Sequence, residues 1–205
     1  EHRYFFYFLV AVCVLQAIWY AVSYVPSIFD EAYHIGFIKL YAGQLSPIIS
    51  TQGSEWDYLG AVTRSSSYLY HYALSFPLRF VQLFTANQTV QVMSLRAINI
   101  GLFVAGLVVF RNLFIRYTKV HRSVIHLALL FFVMTPMVAP LVGAVNYDNM
   151  VFVLFAIALS LALRIVKKVR LTDLVWLVIV GMIGVLVKFY FLGLFIPLVI
   201  FVLYS

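Results

Sequence analysis

The stretch Tyr4–Val25, YFFYFLVAVCVLQAIWYAVSYV, decides the fold class. It is an apolar run long enough to cross a hydrocarbon core of ~30 Å as an α-helix. It lacks a small-residue cleavage site and exceeds the apolar core of a secretory leader, so it reads as a retained anchor. Cys13, the only cysteine of the chain, lies inside it. No intramolecular disulfide can form, and Cys13 reads as a packing residue.

Further apolar runs follow at Ala97–Phe114, Val124–Val142, Val151–Val166, Leu174–Val187 and Phe189–Tyr204. The composition agrees: 64% apolar, 18% aromatic and 10% charged, with a mean hydropathy of +1.02. A water-soluble domain is excluded. The expectation is an all-α, polytopic membrane protein with about six spanning helices. It forms a single membrane domain over residues 1–205: a first span (1–26), a long outer loop with juxtamembrane amphipathic helices (27–96), and a helical bundle (97–205).

The net charge of +7 is distributed by topology. Arg111, Arg116, Lys119 and Arg122 fall in one short connection, and Arg164, Lys167, Lys168 and Arg170 in another. Short basic loops between apolar helices mark the cytoplasmic side. No aromatic-interleaved basic groove of the kind that grips single strands is present, so nucleic acid is not an expected partner. With the N-terminus inside, the same count puts residues 26–96, the Val145-Asn146-Tyr147-Asp148-Asn149 loop and Lys188 outside. Ser67–Phe84 is apolar enough to span but contains His71, Pro77 and Arg79. Arginine at the bilayer centre costs at least ~2.5 kcal/mol, so this segment reads as a juxtamembrane or partly re-entrant helix. A plain spanning helix with a snorkelling arginine is the alternative.

Directly after the first span comes Phe29-Asp30-Glu31-Ala32-Tyr33-His34. Asp and Glu total only 7 of 205 residues, and two of them are adjacent at the bilayer edge. Carboxylates there need water, a partner or a ligand, which suggests function. Ser27-x-x-Asp30 also has the form of a helix cap, and both readings stand. Over Ser27–Gly43 the apolar residues Phe29, Tyr33, Phe37, Leu40 and Tyr41 share one helical face, with Asp30, Glu31 and His34 on the other. This predicts an amphipathic helix lying in the interface, with Gly43 as its stop. Gln44–Thr63 reads as irregular, with Glu55, Trp56 and Asp57 either functional or part of a solvated loop. Gly101 and Gly106 read as close-packing positions. Asn87-Gln88-Thr89 is a glycosylation sequon, meaningful only in a eukaryotic host.

An acidic pair after the first helix, a long outer loop, a second acidic residue (Asp148) after a helix ending in Thr135-Pro136, and Arg96-Ala97-Ile98-Asn99 opening the second span together resemble the N-terminal module of GT-C membrane glycosyltransferases. That class includes the protein O-mannosyltransferases and the aminoarabinose transferases. The resemblance implies Asp30 as catalytic base toward the acceptor, Glu31 as its customary neighbour, and Asp148 lining the same cavity. It places His71 near the donor phosphate, although Tyr70-His71-Tyr72-Ala73 lacks the usual following prolines. It also implies a polyprenyl-phosphate-linked sugar as donor, with a lipid, glycan or protein as acceptor. Members of the class carry further helices, whereas this sequence ends within an apolar run at Ser205; a truncated and a minimal member both fit.

The residue types suit such chemistry. An acceptor hydroxyl attacking a sugar C1 needs a carboxylate to take its proton. A departing lipid phosphate needs positive charge, for which Arg64, His71, Arg79, Arg96 and Lys188 are candidates. Each of these also reads as an interfacial cation that snorkels. A divalent cation, magnesium or manganese, could sit among Asp30, Glu31, His34 and Asp148. No nucleotide-binding or nucleophile-elbow motif is present. The rival class is an ion-coupled transporter or lipid-handling protein using the same carboxylates to bind an ion, although no inverted repeat is evident.

Overall fold

In a computed structural model, which describes residues 2–23, 30–44, 46–49, 52–60 and 67–205, the chain forms helices and, among the described residues, no strand. The helices are α1 (His2–Ser23), α2 (Glu31–Ala42), α3 (Leu69–Gln82), α4 (Gln88–Tyr117), α5 (Arg122–Val133), α6 (Val138–Gly143), α7 (Asp148–Lys167), α8 (Leu171–Val187) and α9 (Leu192–Tyr204). Short 3₁₀ turns occupy Ser54–Leu59 and Phe189–Phe191. Three segments are long and apolar enough to cross a membrane: Arg3–Ser23, Gln88–Tyr117 and Asp148–Lys167.

Each long helix packs one stripe on protein and leaves much of its remaining surface exposed. In α1, Phe6, Leu9, Cys13 and Ala17 recur at helical spacing and are buried, whereas Tyr4, Phe8, Leu15 and Trp19 are exposed. The buried stripe meets α4, α5 and α6, and Cys13 has the packing environment expected of it. α7 is central, packed on α4, α8 and α9 through Leu154, Ala158, Leu161 and Ile165.

Several expected elements are corrected. Val124–Val142 is not one span: α5 ends at Val133 and α6 starts at Val138. Pro136 lies between them, where it has no N–H to continue the ladder and biases Thr135 away from helical backbone. α4 begins at Gln88 rather than Ala97, because the Asn87 side chain accepts from the Thr89 and Val90 N–H groups at 2.9 and 3.4 Å. The sequon asparagine is thus a helix cap. Gly106 is a close-packing position, where an added Cβ would meet the Phe152 ring, but Gly101 touches nothing.

α2 does not divide into one greasy and one polar face. It pairs side by side with α3: His34 meets His71 and Ala42 meets Arg79, both 37 residues apart, so the two helices run parallel. Its polar residues Glu31 and His34 are buried, as are Phe37, Ile38 and Tyr41. Gly43 follows the last turn, as expected, but with φ −76° it has no left-handed cap geometry. The terminal carbonyls of Tyr41 and Ala42 also accept from the Arg79 guanidinium. The segment expected to be irregular is partly packed: Leu59 and Ile49 are buried against Phe37 and Tyr41, with Trp56 alongside. α3 starts level with Asn99, to which Tyr70 is bonded, and Leu74 and Leu78 join Leu95 in one core. It is a short helix lying against the first turns of α4.

The bundle therefore has two chemically distinct ends. At one, the ends of α1 and α8 meet the starts of α2 and α7 and Arg96 in the third turn of α4. At the other, Arg111 of α4 donates to His126 of α5 at 3.0 Å and lies over Phe6 of α1, and Arg164 pairs with buried Asp173 at 2.7 Å.

α6 is held to α1 by backbone proximity. A Cβ on Gly143 would stand 2.6 Å from the Ala17 carbonyl oxygen, and backbone cannot yield as a side-chain tip can. Gly143→Ala is expected to lower stability by about 1–3 kcal/mol, whereas Gly101→Ala, in a helix interior with open space, should raise it by about 0.5–1 kcal/mol. Thermal unfolding in detergent separates them; equal melting of both variants would show that α1 and α6 do not make this contact.

Candidate functional site: a layered polar rim

The site begins with Glu31, the first residue of α2 and thus favourably placed at the positive end of the helix dipole. Its carboxylate faces Arg96 of α4 in a bidentate pair: Nε to Oε1 at 2.8 Å and Nη2 to Oε2 at 2.5 Å. Relative exposure is 2% for Glu31 and 1% for Arg96. The remaining valences are filled as well. The Val145 N–H donates to Oε1 at 2.7 Å, and the guanidinium donates to the Ala21 carbonyl. A buried ion pair is tolerable only when its leftover donors and acceptors find partners in this way. Expected as a catalytic carboxylate and a phosphate-binding cation, Glu31 and Arg96 instead neutralise one another inside the protein.

Beside this pair lies a neutral amide cluster that sequence reading did not single out beyond Asn99. Asn99 Oδ1 accepts from the Tyr70 hydroxyl at 2.8 Å, from Asn149 Nδ2 at 3.3 Å and from the Asn146 N–H at 3.4 Å. Its own Nδ2 donates to the Leu95 carbonyl. Asn99 is one helical turn beyond Arg96, so three buried asparagines near two spans were the available signal.

His34 and His71 form the next layer. Their rings stack at 5.2 Å, with His34 Nδ1 2.9 Å from His71 Nε2, so one imidazole donates and the other accepts. Both are buried. Burial pushes both pKa values down, His71 to about 3, and the facing imidazole lowers His71 further. Opposing this in His34 are the carboxylates of Asp30 and Asp148. Expected as a phosphate partner, His71 is a neutral, enclosed ring without charge to offer. His34 Nε2 points toward Asp30 Oδ1 at 3.6 Å.

Above these layers lies the rim. Asp30 makes no side-chain cap hydrogen bond, and its side chain is 62% exposed; Ser27 of the expected capping box lies outside the described residues. Asp148, 42% exposed, is paired with Lys188 at 2.6 Å. It does not serve as the cap of α7, because Asn146 Oδ1 accepts the Asp148 N–H at 2.7 Å. Lys188 Nζ also stands 4.3 Å over the Tyr147 ring. The Tyr147 hydroxyl is held above its ordinary pKa, chiefly by burial; Lys188 opposes the shift, while Asp148 and Asp30 add to it. Tyr33 is raised likewise by burial, Tyr147 and Asp30. Asp30 and Asp148 therefore act on the same tyrosine from two segments far apart in sequence.

Of the remaining expected residues, Arg79 caps α2 and Arg64 lies outside the described residues. Asp30, Glu31, His34 and Asp148 do not assemble a ligand set: among the described residues no three His, Cys, Asp or Glu side chains are grouped to hold a metal ion. Arg96 occupies Glu31 and Lys188 occupies Asp148. Nor do cavities of about 390 Å³ (between α4 and α5) and about 450 Å³ (between α1 and the α5–α6 turn) involve either rim carboxylate. Comparison with family models, with curated proteins and with solved structures finds no match to this chain.

Two outcomes are expected. Glu31→Leu or Arg96→Leu alone should cost about 3–5 kcal/mol by stranding a buried charge, and the double replacement should cost less than either. Thermal melts of the three variants check this, and additive losses would refute a closed pair. The second outcome concerns pH. The unfolded chain takes up a proton near pH 6.5, whereas folded His71 resists protonation down to about pH 3. Unfolding free energy should therefore fall as pH drops from 6.5 toward 3, by up to about 1.4 kcal/mol per unit for this residue. His71→Gln, which keeps an acceptor for His34, should flatten the slope; an unchanged slope would mean that His71 titrates normally.

Proposed function

We propose that the chain is a membrane glycosyltransferase module that moves a sugar from a polyprenyl-phosphate donor to a lipid, glycan or protein acceptor at its polar rim, with inversion. In this reading α1, α4, the α5–α6 pair, α7, α8 and α9 make about six passes. The basic loops face the cytoplasm and the rim is extracytoplasmic. The observation that carries it is the divided use of one acidic pair. Glu31 is consumed by Arg96, whereas its neighbour Asp30 neither caps its helix nor is buried. An exposed carboxylate positioned by a locked neighbour is what a base needs.

The step follows from that arrangement. The acceptor hydroxyl attacks C1 of the sugar while Asp30 takes its proton, and the C1–oxygen bond to the phosphate breaks on the opposite face. The departing phosphate carries off the bonding electrons. Lys188, already at the rim and partly exposed, is the cation nearest that task, with Asp148 holding its ammonium in place. Tyr33 and Tyr147 offer aromatic faces beside the reacting centre.

The test is transfer from a panel of polyprenyl-phosphate sugars by the full chain in proteoliposomes, read as a mass increase of the acceptor. Asp30→Asn should reduce transfer by 10²–10⁴-fold while donor binding persists. Wild-type transfer by Asp30→Asn, or no transfer from any donor, would dismiss the reading.

A further inference from the structure

At the end of the bundle opposite the polar rim, α4 and α5 enclose a cavity of about 390 Å³. Phe110 and Phe114 of α4, Val124, Ala128 and Phe132 of α5 and Phe152 of α7 form its walls. Thr118 also lines it, but its hydroxyl is turned back onto the Phe114 carbonyl at 2.7 Å. The slot therefore offers apolar walls and almost no bonding capacity to a water-soluble ligand. It opens on the outer surface of the helices, where Val124 is 55% and Phe132 is 40% exposed. From Val124 to Phe132 it follows α5 for ~12 Å at 1.5 Å per residue, a fair part of one leaflet.

The mouth of the slot is basic. Thr118 and Val120 line the end formed by the α4–α5 connection. Arg116, Lys119 and Arg122 flank those residues in sequence and are exposed. Among the described residues none of the three is in an ion pair with Asp or Glu. Of the other basic connection, Arg164 is engaged by Asp173, and Lys167 reaches across to stand 4.4 Å over the Tyr117 ring, beside this mouth.

We infer that this is a binding site for an anionic phospholipid, with one acyl chain in the α4–α5 slot and the phosphate on Arg116, Lys119 and Arg122. Apolar walls select a hydrocarbon chain, and cations without acidic partners at the mouth select a head group of net negative charge. A zwitterionic lipid satisfies the first demand but not the second; a free phosphate ester satisfies the second but not the first. The site is independent of the chemistry proposed at the rim, because it shares no residue with it.

Native mass spectrometry of the full chain tests this with phosphatidylglycerol and phosphatidylcholine of equal chain length. Phosphatidylglycerol should bind at least tenfold more tightly. Replacing Arg116, Lys119 and Arg122 together by Gln should weaken its binding roughly a hundredfold, near-surface cations contributing about a factor of five each. Ala128→Phe, which fills the slot and leaves the charges in place, should also abolish tight binding. Replacing Lys168 and Arg170 by Gln, which leaves Lys167 beside Tyr117 in place, should have little effect. Equal binding of both lipids, retention by the Ala128→Phe variant, an equal loss when Lys168 and Arg170 are neutralised, or full competition by glycerol phosphate would each overturn the assignment.

Discussion

The Glu31–Arg96 pair is the constraint on which the polar end of this bundle depends. It is made between residues 65 apart in sequence, and the Ala21 carbonyl and Val145 N–H close around it. Four separate stretches thus converge on two opposite charges. In a setting with little water, neither charge can be left without the other, so the pair specifies geometry more than it contributes net stability. Fixing Glu31 fixes the start of α2, and the start of α2 places Asp30.

Beneath the rim the protein uses neutral polar groups where charge would be costly. Asn99 gathers Tyr70, Asn146 and Asn149, and His34 and His71 share one hydrogen bond between buried rings. Around these layers Asp30 and the Asp148–Lys188 pair against Tyr147 stay charged and accessible. The consequence is a separation of roles along the bundle axis. The Glu31–Arg96 charges are enclosed, while Asp30 and Asp148 sit where water reaches them. At the opposite end the Arg111–His126 and Arg164–Asp173 contacts tie helices together, and the α4–α5 connection keeps its cations exposed.

Part of this was legible in the sequence because it depends on composition and spacing. Uninterrupted apolar runs in α1, α4 and α7 identify helices that can cross a membrane. The Pro77 and Arg79 pattern set α3 apart from those helices. Pro136 marked a disturbance, but whether it would kink or divide the run depended on how α6 packs against Ala17, which no local pattern contains. The start of α4 was misplaced because Gln88-Thr89-Val90-Gln91 is not apolar; a capped helix can continue beyond the hydrocarbon when α3 packs against it. The amphipathic reading of α2 failed for a related reason. It assumed that polar residues face water, whereas Arg96 and His71 supply partners that make a buried Glu31 and His34 tolerable.

The sequence by itself determined the class of the protein, the apolar helices and the presence of an acidic pair after the first of them. Those follow from side-chain transfer energies and helical period, which are properties of local sequence. Only the tertiary structure decided which member of that pair is spent and which is accessible, and that Asp148 is held by Lys188 rather than capping α7. Partner choice among charges is set by contacts between segments far apart in the chain, and a carboxylate looks the same in sequence whether an arginine from another helix encloses it or water does.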